Sequence, residues 1–261
     1  MRALGVPCCT AVVTAEATLP THDAPMSERS GMSIRMNYQR IRAEIPGEVS
    51  IVVAAKTRTV EEIRQAISAG ATDFGENYVQ EAVEMHRALG EAASQVRWHM
   101  IGHLQKNKIT KALRTCDVLQ TVDSLEKAAA IDKRVEATGR AIVPVLVQIN
   151  IGNEESKAGV VPEAHEPFEP YMEGLVRDIS QLKHVRLEGF MTMGPRFGDP
   201  EDSRPYFRRT KALFDRIKEM GLPNVNMTCL SMGMTNSYRV AIDEGSNMVR
   251  IGTAVFGDRK G

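Results

Sequence analysis

Short apolar runs recur along this chain from residue 51 onward. They occupy residues 51–55, 72–75, 97–101, 118–121, 143–149, 187–191, 226–230 and 248–251, and their starts lie 21 to 44 residues apart. Runs of this length, rich in β-branched residues, predict strands. The gaps between them mostly carry apolar residues at helical spacing. Thr59-Val-Glu-Glu62 is a capping-box pattern, followed by Val60, Ile63 and Ile67 on one helical face and by Gly70 as a stop. Leu125, Ala128, Ile131 and Val135 form a second stripe that ends at Gly139. Leu213, Phe214, Ile217 and Met220 form a third, ended by Gly221 and Pro223. A further helix is expected over residues 33 to about 44, ahead of the first strand.

Regular alternation of strand and helix predicts βαβ units and a parallel sheet. Eight strands suit a single (β/α)8 TIM barrel with an extra N-terminal helix. A doubly wound open sheet is the alternative, but its GxGxxG dinucleotide fingerprint is missing. The long gaps after the fifth and sixth strands are expected to be extended loops. Residues 1–31 show no periodicity and mix Thr, Ala, Pro, Ser and Cys. They are expected to be a disordered tail, or a start placed upstream of the true one, with the barrel over residues 32–261.

Composition narrows the classes. The chain has 261 residues, 43% hydrophobic and 25% charged, with 33 Lys+Arg against 33 Asp+Glu. That balance is ordinary for a globular protein. Zero net charge gives no general attraction to nucleic acid or an anionic membrane, and neither is expected as a partner. No apolar run approaches the roughly 18 residues of a membrane span. The first residues make a poor signal peptide. The four cysteines, Cys8, Cys9, Cys116 and Cys229, form no CxxC pattern. They predict free thiols in a reducing, cytoplasmic setting rather than a disulfide framework or a zinc site.

Barrels of this kind carry their chemistry at the C-terminal ends of the strands. Lys56 follows the first apolar run, where partial desolvation favours a nucleophilic amine able to form a Schiff base with a carbonyl compound. A lysine that merely reaches water from a strand end is the plainer alternative. The segments Ser231-Met-Gly233 and Gly252-Thr253 follow the seventh and eighth runs, a frequent phosphate position in barrels. A Schiff-base lysine opposite a phosphate cup suits a phosphorylated aldehyde, with pyridoxal 5'-phosphate (PLP) the leading candidate.

Six motifs carry a resemblance. They are Ala54-Ala-Lys56-Thr, Phe74-Gly-Glu-Asn-Tyr-Val-Gln-Glu81, Trp98-His-Met-Ile-Gly-His-Leu-Gln-Lys-Asn-Lys108, Glu155-Ser-Lys-Ala-Gly159, Leu230-Ser-Met-Gly-Met234 and Met248-Val-Arg-Ile-Gly-Thr253. In this order they resemble the pyridoxal phosphate homeostasis proteins (the YggS/PROSC family), over residues 33 to 257. The resemblance implies an alanine racemase N-terminal domain-like barrel that binds PLP without catalysis and serves intracellular PLP supply. By position it implies Lys56 as the Schiff-base lysine and Asn77 as a pocket residue. It implies Ser231, Gly252 and Thr253, with the backbone near Met232 and Gly233, as the phosphate cup. Arg250 is implied to face the pyridine nitrogen, and Lys157 to be a second lysine that assists PLP exchange. Apo PLP-dependent enzymes are the implied recipients, and a monomer is expected. Thr59 departs from a common family proline, and Thr235-Asn-Ser-Tyr238 from a commoner acidic pattern.

Arg250 bears on chemistry as well. A cation beside the ring nitrogen disfavours its protonation and makes the ring a poorer electron sink. That suits a carrier. The competing readings are a weak PLP-dependent amino-acid racemase, a Schiff-base aldolase-type barrel enzyme, and a binding module for another phosphorylated metabolite. The racemase reading is weakened because the sequence stops about ten residues past the last strand, without the β-rich domain that supplies a tyrosine in alanine racemases. Tyr78 and Tyr238 are the local substitutes. His99 and His103 lie on a strand and its exit, not at helical metal-ligand spacing, so no metal is expected. Trp98, Phe74 and the methionines Met191, Met193, Met232 and Met234 read as packing. The basic run from Lys106 to Arg114 reads as a solvated helix face.

Overall fold

The computed structural model describes residues 33–152, 158–194 and 198–257. The expected tail over residues 1–31 and the second lysine, Lys157, lie outside the described residues. In chain order the elements are α1 (Ile34–Glu44), β1 (Ser50–Ala54), α2 (Val60–Ser68), β2 (Asp73–Glu76), α3 (Val79–Leu89), β3 (Arg97–Met100), α4 (Ile109–Thr115), β4 (Val118–Val122) and α5 (Leu125–Val135). Then follow β5 (Val143–Ile149), α6 (Phe168–Ser180), β6 (Val185–Thr192), α7 (Arg204–Glu219), β7 (Val225–Met234), α8 (Tyr238–Asp243), β8 (Met248–Ile251) and α9 (Thr253–Phe256). The eight strands form a closed barrel in sequence order, and β8 closes on β1 in parallel. The expected (β/α)8 barrel with its extra N-terminal helix is the architecture observed.

Local chemistry explains several elements. At Thr59 both halves of the capping box are made: the Glu62 amide donates to Thr59 Oγ1 at 3.2 Å, and the Thr59 amide donates to Glu62 Oε2 at 2.7 Å. Ser33 caps α1 by accepting from the Met36 amide, and Asn37 ties that helix to α9 by donating to the Val255 carbonyl at 3.0 Å. Two apolar shells lie between barrel and helices. One gathers Ile41, Val53, Ile63, Phe74, Trp98 and Ile251, the other Met100, Val145, Phe190, Phe207, Leu230 and Met232. Phe74 and Trp98 are core residues, with ring centroids 5.5 Å apart. Burial pushes the free thiols of Cys116 and Cys229 up to about 12.

One boundary changes the reading of the site. The seventh strand does not end at residue 230 but runs to Met234, so Ser231, Met232 and Gly233 belong to the barrel wall rather than to a following loop. Met191 pairs with Ser231 and Thr192 with Met232, while Ser231 pairs with Met248 on the other side. Ser and Gly give no apolar signal, yet neighbours on both edges supply the ladder that holds them extended.

Candidate functional site

Lys56 is half-buried, two residues beyond the end of β1. Its loop is fastened on both sides. Thr57 adopts a left-handed φ of 62°, uncommon for a β-branched residue, and its amide donates to Glu81 Oε2 at 3.2 Å. Arg58 donates through its amide to the Ala55 carbonyl and through Nη2 to the Gly257 carbonyl. Register then sets the neighbours. Ala54 pairs with Gly75 of β2, and Val52 with Arg250 of β8. Asn77 and Gly252 therefore stand at strand ends flanking that of Lys56. Asn77 is held close to β3: a Cβ on Gly102 would sit 2.1 Å from the Asn77 carbonyl oxygen, so only glycine allows this approach.

Arg250 points inside the barrel and is 5% exposed. Nη1 donates to the Ser231 carbonyl at 2.8 Å and to Ser231 Oγ at 2.6 Å, and Nη2 donates to the Thr192 carbonyl at 2.7 Å. Burial lowers its pKa to about 10, which leaves it charged at neutral pH. Among the described residues no carboxylate forms an ion pair with it. A buried guanidinium held only by neutral acceptors is costly unless the field around it is favourable. The site thus joins an amine, Lys56, to a rigid cation, Arg250, with Gly252 half-buried and Thr253 exposed at the rim.

A family model for the alanine racemase N-terminal domain matches residues 31–260. The pyridoxal phosphate homeostasis protein of Haemophilus influenzae is 39% identical over 81% of this chain and 85% of its own. That of Pasteurella multocida is 38% identical over 89% of this chain and 97% of its own. The chain belongs to the pyridoxal phosphate homeostasis protein family. A solved structure of similar fold is that of PipY of Synechococcus elongatus with PLP bound, at 28% identity and a TM-score of 0.76 over 86% of this chain and 100% of that one.

Within this family member the structure does not bring all the expected phosphate ligands to one surface. The Ser231 hydroxyl is fully buried, accepts from Arg250 and donates to Gln120 Oε1 at 2.8 Å. The Met232 side chain turns into the outer core, and its amide donates to Ser246 Oγ at 3.3 Å. Gly233 is buried with a φ of 88°, and a Cβ there would meet the Ala241 Cβ at 2.6 Å. Of the six cup and ring positions, Ser231 and Arg250 touch each other, and Gly252 and Thr253 remain at the rim. Tyr238 directs its hydroxyl to Glu44 of α1 at 2.6 Å, and burial together with Glu44 pushes its pKa up to about 12. Tyr78 is 59% exposed. His99 is buried while His103 is exposed, so the two do not converge.

Several residues of consequence were not singled out from sequence. Glu76 is 1% exposed, and neither carboxylate oxygen has a hydrogen-bond partner among the described residues. Burial and the nearby Glu81 push its pKa up to about 8. It lines a cavity of about 410 Å³ beside the Lys56 loop, with Thr57, Arg58 and Glu81. Its only sequence signal is its place in the Phe74–Glu81 motif. Gln120 and Asp73, inside the barrel, carry no local signal, and His99 has in the sequence only its place in the Trp98–Lys108 motif and its spacing to His103.

Proposed function

We propose that this chain binds PLP covalently at Lys56 and acts as an intracellular carrier of it rather than as an enzyme. The single observation that supports this most is the pairing of a half-buried Lys56 at the end of β1 with a buried Arg250 on the adjoining strand that pairs with no carboxylate among the described residues. The donor set fits the group. An amine suits the aldehyde carbon, and a fixed cation suits an unprotonated pyridine nitrogen. The backbone of Gly252 and Thr253, with Gly233, suits the phosphate, and Ser231 acts through Arg250.

When bound, PLP supplies an electrophilic carbonyl carbon and an electron-withdrawing ring. Lys56 Nζ holds that carbon. Asn77 flanks it from β2. Arg250 is saturated by Ser231 and Thr192 on its inner side and disfavours a proton on the ring nitrogen, so a bound amino acid loses its α-proton poorly. Neither Tyr78 nor Tyr238 stands ready as a second base, since one is exposed and the other hydrogen-bonds Glu44. These features support the carrier reading over a racemase. The carrier works as a cytoplasmic monomer whose recipients are apo PLP-dependent enzymes, and Lys157 serves as the exchange lysine. No helix among the described residues is long and apolar enough to cross a membrane.

The test is borohydride reduction of the protein after PLP addition, followed by peptide mass mapping and an amino-acid racemisation assay. A pyridoxyl mass on Lys56 without enantiomer interconversion is expected. A protein that stays colourless in PLP overturns the assignment and leaves the aldolase and metabolite-binding readings. Racemisation that disappears in Lys56→Ala overturns the carrier.

A further inference from the structure

Inside the barrel five side chains from five strands form one continuous hydrogen-bonded chain. Arg250 Nη1 donates to Ser231 Oγ at 2.6 Å. Ser231 Oγ donates to Gln120 Oε1 at 2.8 Å. Gln120 Nε2 lies 2.9 Å from His99 Nδ1, and His99 Nε2 lies 2.9 Å from Asp73 Oδ1. Ser231, Gln120 and His99 are fully buried. Arg250 lies at the cofactor end of the barrel. Asp73 opens β2, and His99 lines a cavity of about 260 Å³ with Glu48, Ser50, Arg97 and Asn247, residues at or just before the strand starts.

The order of protons along this chain is forced by its ends. A guanidinium only donates and an ionised carboxylate only accepts. Ser231 accepts from Arg250, so its one proton goes to Gln120. The Gln120 amide then donates to His99 Nδ1, which places the imidazole proton on Nε2, facing Asp73. Every dipole points the same way, from cation to anion. Burial lowers the pKa of His99 despite Asp73, which keeps it neutral. Burial opposes ionisation of Asp73, but hydrogen bonds from His99 and Thr72 hold its carboxyl below the ordinary range. Arg97 and Asp117 are the other charges that bear on His99. Aligned chains of this kind strengthen each member. This one runs from Arg250 through four hydrogen bonds to the carboxylate of Asp73.

We propose that His99 and Asp73 are positioning residues that hold Arg250 fixed in orientation from the far end of the barrel. Without His99 the Gln120 amide is free to turn over, the Ser231 proton loses its direction, and Nη1 loses a fixed acceptor. The inference rests on the reading in which Arg250 faces the PLP ring.

The experiment compares full-length wild type, His99→Leu and His99→Gln. His99→Leu is expected to weaken PLP binding about tenfold, as one missing buried hydrogen-bond partner does. It is also expected to shift the pH profile of the visible absorbance of bound PLP. His99→Gln, which offers an acceptor toward Gln120 and a donor toward Asp73, is expected to restore both. A wild-type profile in His99→Leu overturns the inference. Wild-type protein that takes no PLP at Lys56 overturns instead the reading beneath it. If His99→Leu does not fold, nitrogen-15 NMR of the wild type decides: a neutral Nε2–H tautomer at pH 7 is expected, and an Nδ1–H tautomer or an imidazolium overturns the inference.

Discussion

Arg250 makes two hydrogen bonds to a single residue, Ser231, one to its carbonyl at 2.8 Å and one to its hydroxyl at 2.6 Å. The hydroxyl passes its own proton to Gln120. Ser231→Ala keeps the carbonyl contact but leaves Arg250 Nη1 and Gln120 Oε1 each short of a partner. Unsatisfied buried polar groups cost about 1–3 kcal/mol each, so with two such groups urea unfolding is expected to show a loss of about 2–6 kcal/mol. Bound PLP should also weaken, measured by titration of its visible absorbance. A variant with wild-type stability and affinity would show that the hydroxyl is dispensable and that the carbonyl alone orients Arg250.

Arg250 itself is expected to restrain chemistry at the ring. Arg250→Glu replaces a donor cation with a carboxyl group, which favours a protonated ring nitrogen and a stronger electron sink. Slow exchange of α-protons of added amino acids should then rise above the wild-type rate. Proton NMR in heavy water follows this directly. An unchanged rate in a variant that still loads PLP contradicts the account of Arg250 as a silencer.

The order and type of the elements were legible in the sequence, whereas the interior was not. The runs at 143–149 and 248–251 match β5 and β8 in both bounds, because apolar outer-face residues fill them. The capping box at Thr59 and Glu62 was readable because both partners lie within one helical turn. β7 was cut short because Ser231 and Gly233 interrupt the apolar pattern of its last four residues, which flanking strands hold extended. Lys56 and Arg250 were found as strand-end and motif residues. Ser231 was read as a phosphate ligand and His99 only for metal spacing; their link through Gln120 to Asp73 was beyond local reading, since the four sit on four strands and meet only when the barrel closes.

Gly233 is expected to resist any side chain. Its φ of 88° lies in the left-handed region, which costs an L-residue about 1–2 kcal/mol. A Cβ would also sit 2.6 Å from the Ala241 Cβ and 2.9 Å from the Tyr238 Cα. Gly233→Ala should therefore push α8 away from β7 and lower the melting temperature, read by calorimetry. It should reduce PLP loading in the same step, because the proposed phosphate cup uses the Gly233 backbone. Full loading with a wild-type melting temperature would remove Gly233 from the cup.

Glu76 gives the fold a pH dependence of determinate sign. Its carboxyl is raised from 4.5 to about 8 by burial and by Glu81, so the folded state binds a proton that the unfolded state releases. For an acid whose folded pKa lies above its unfolded one, stability is fully present below about 4.5 and is lost as pH rises toward about 8. Each pH unit in that window is worth up to about 1.4 kcal/mol for one fully coupled group. Glu76→Gln keeps the shape, stays neutral and removes this slope. Urea unfolding at pH 5 and pH 8 should then show the variant more stable than wild type at pH 8, with a much smaller difference at pH 5. Equal slopes in the two proteins would mean that Glu76 is ionised in the fold and that a partner neutralises it inside the cavity beside the Lys56 loop.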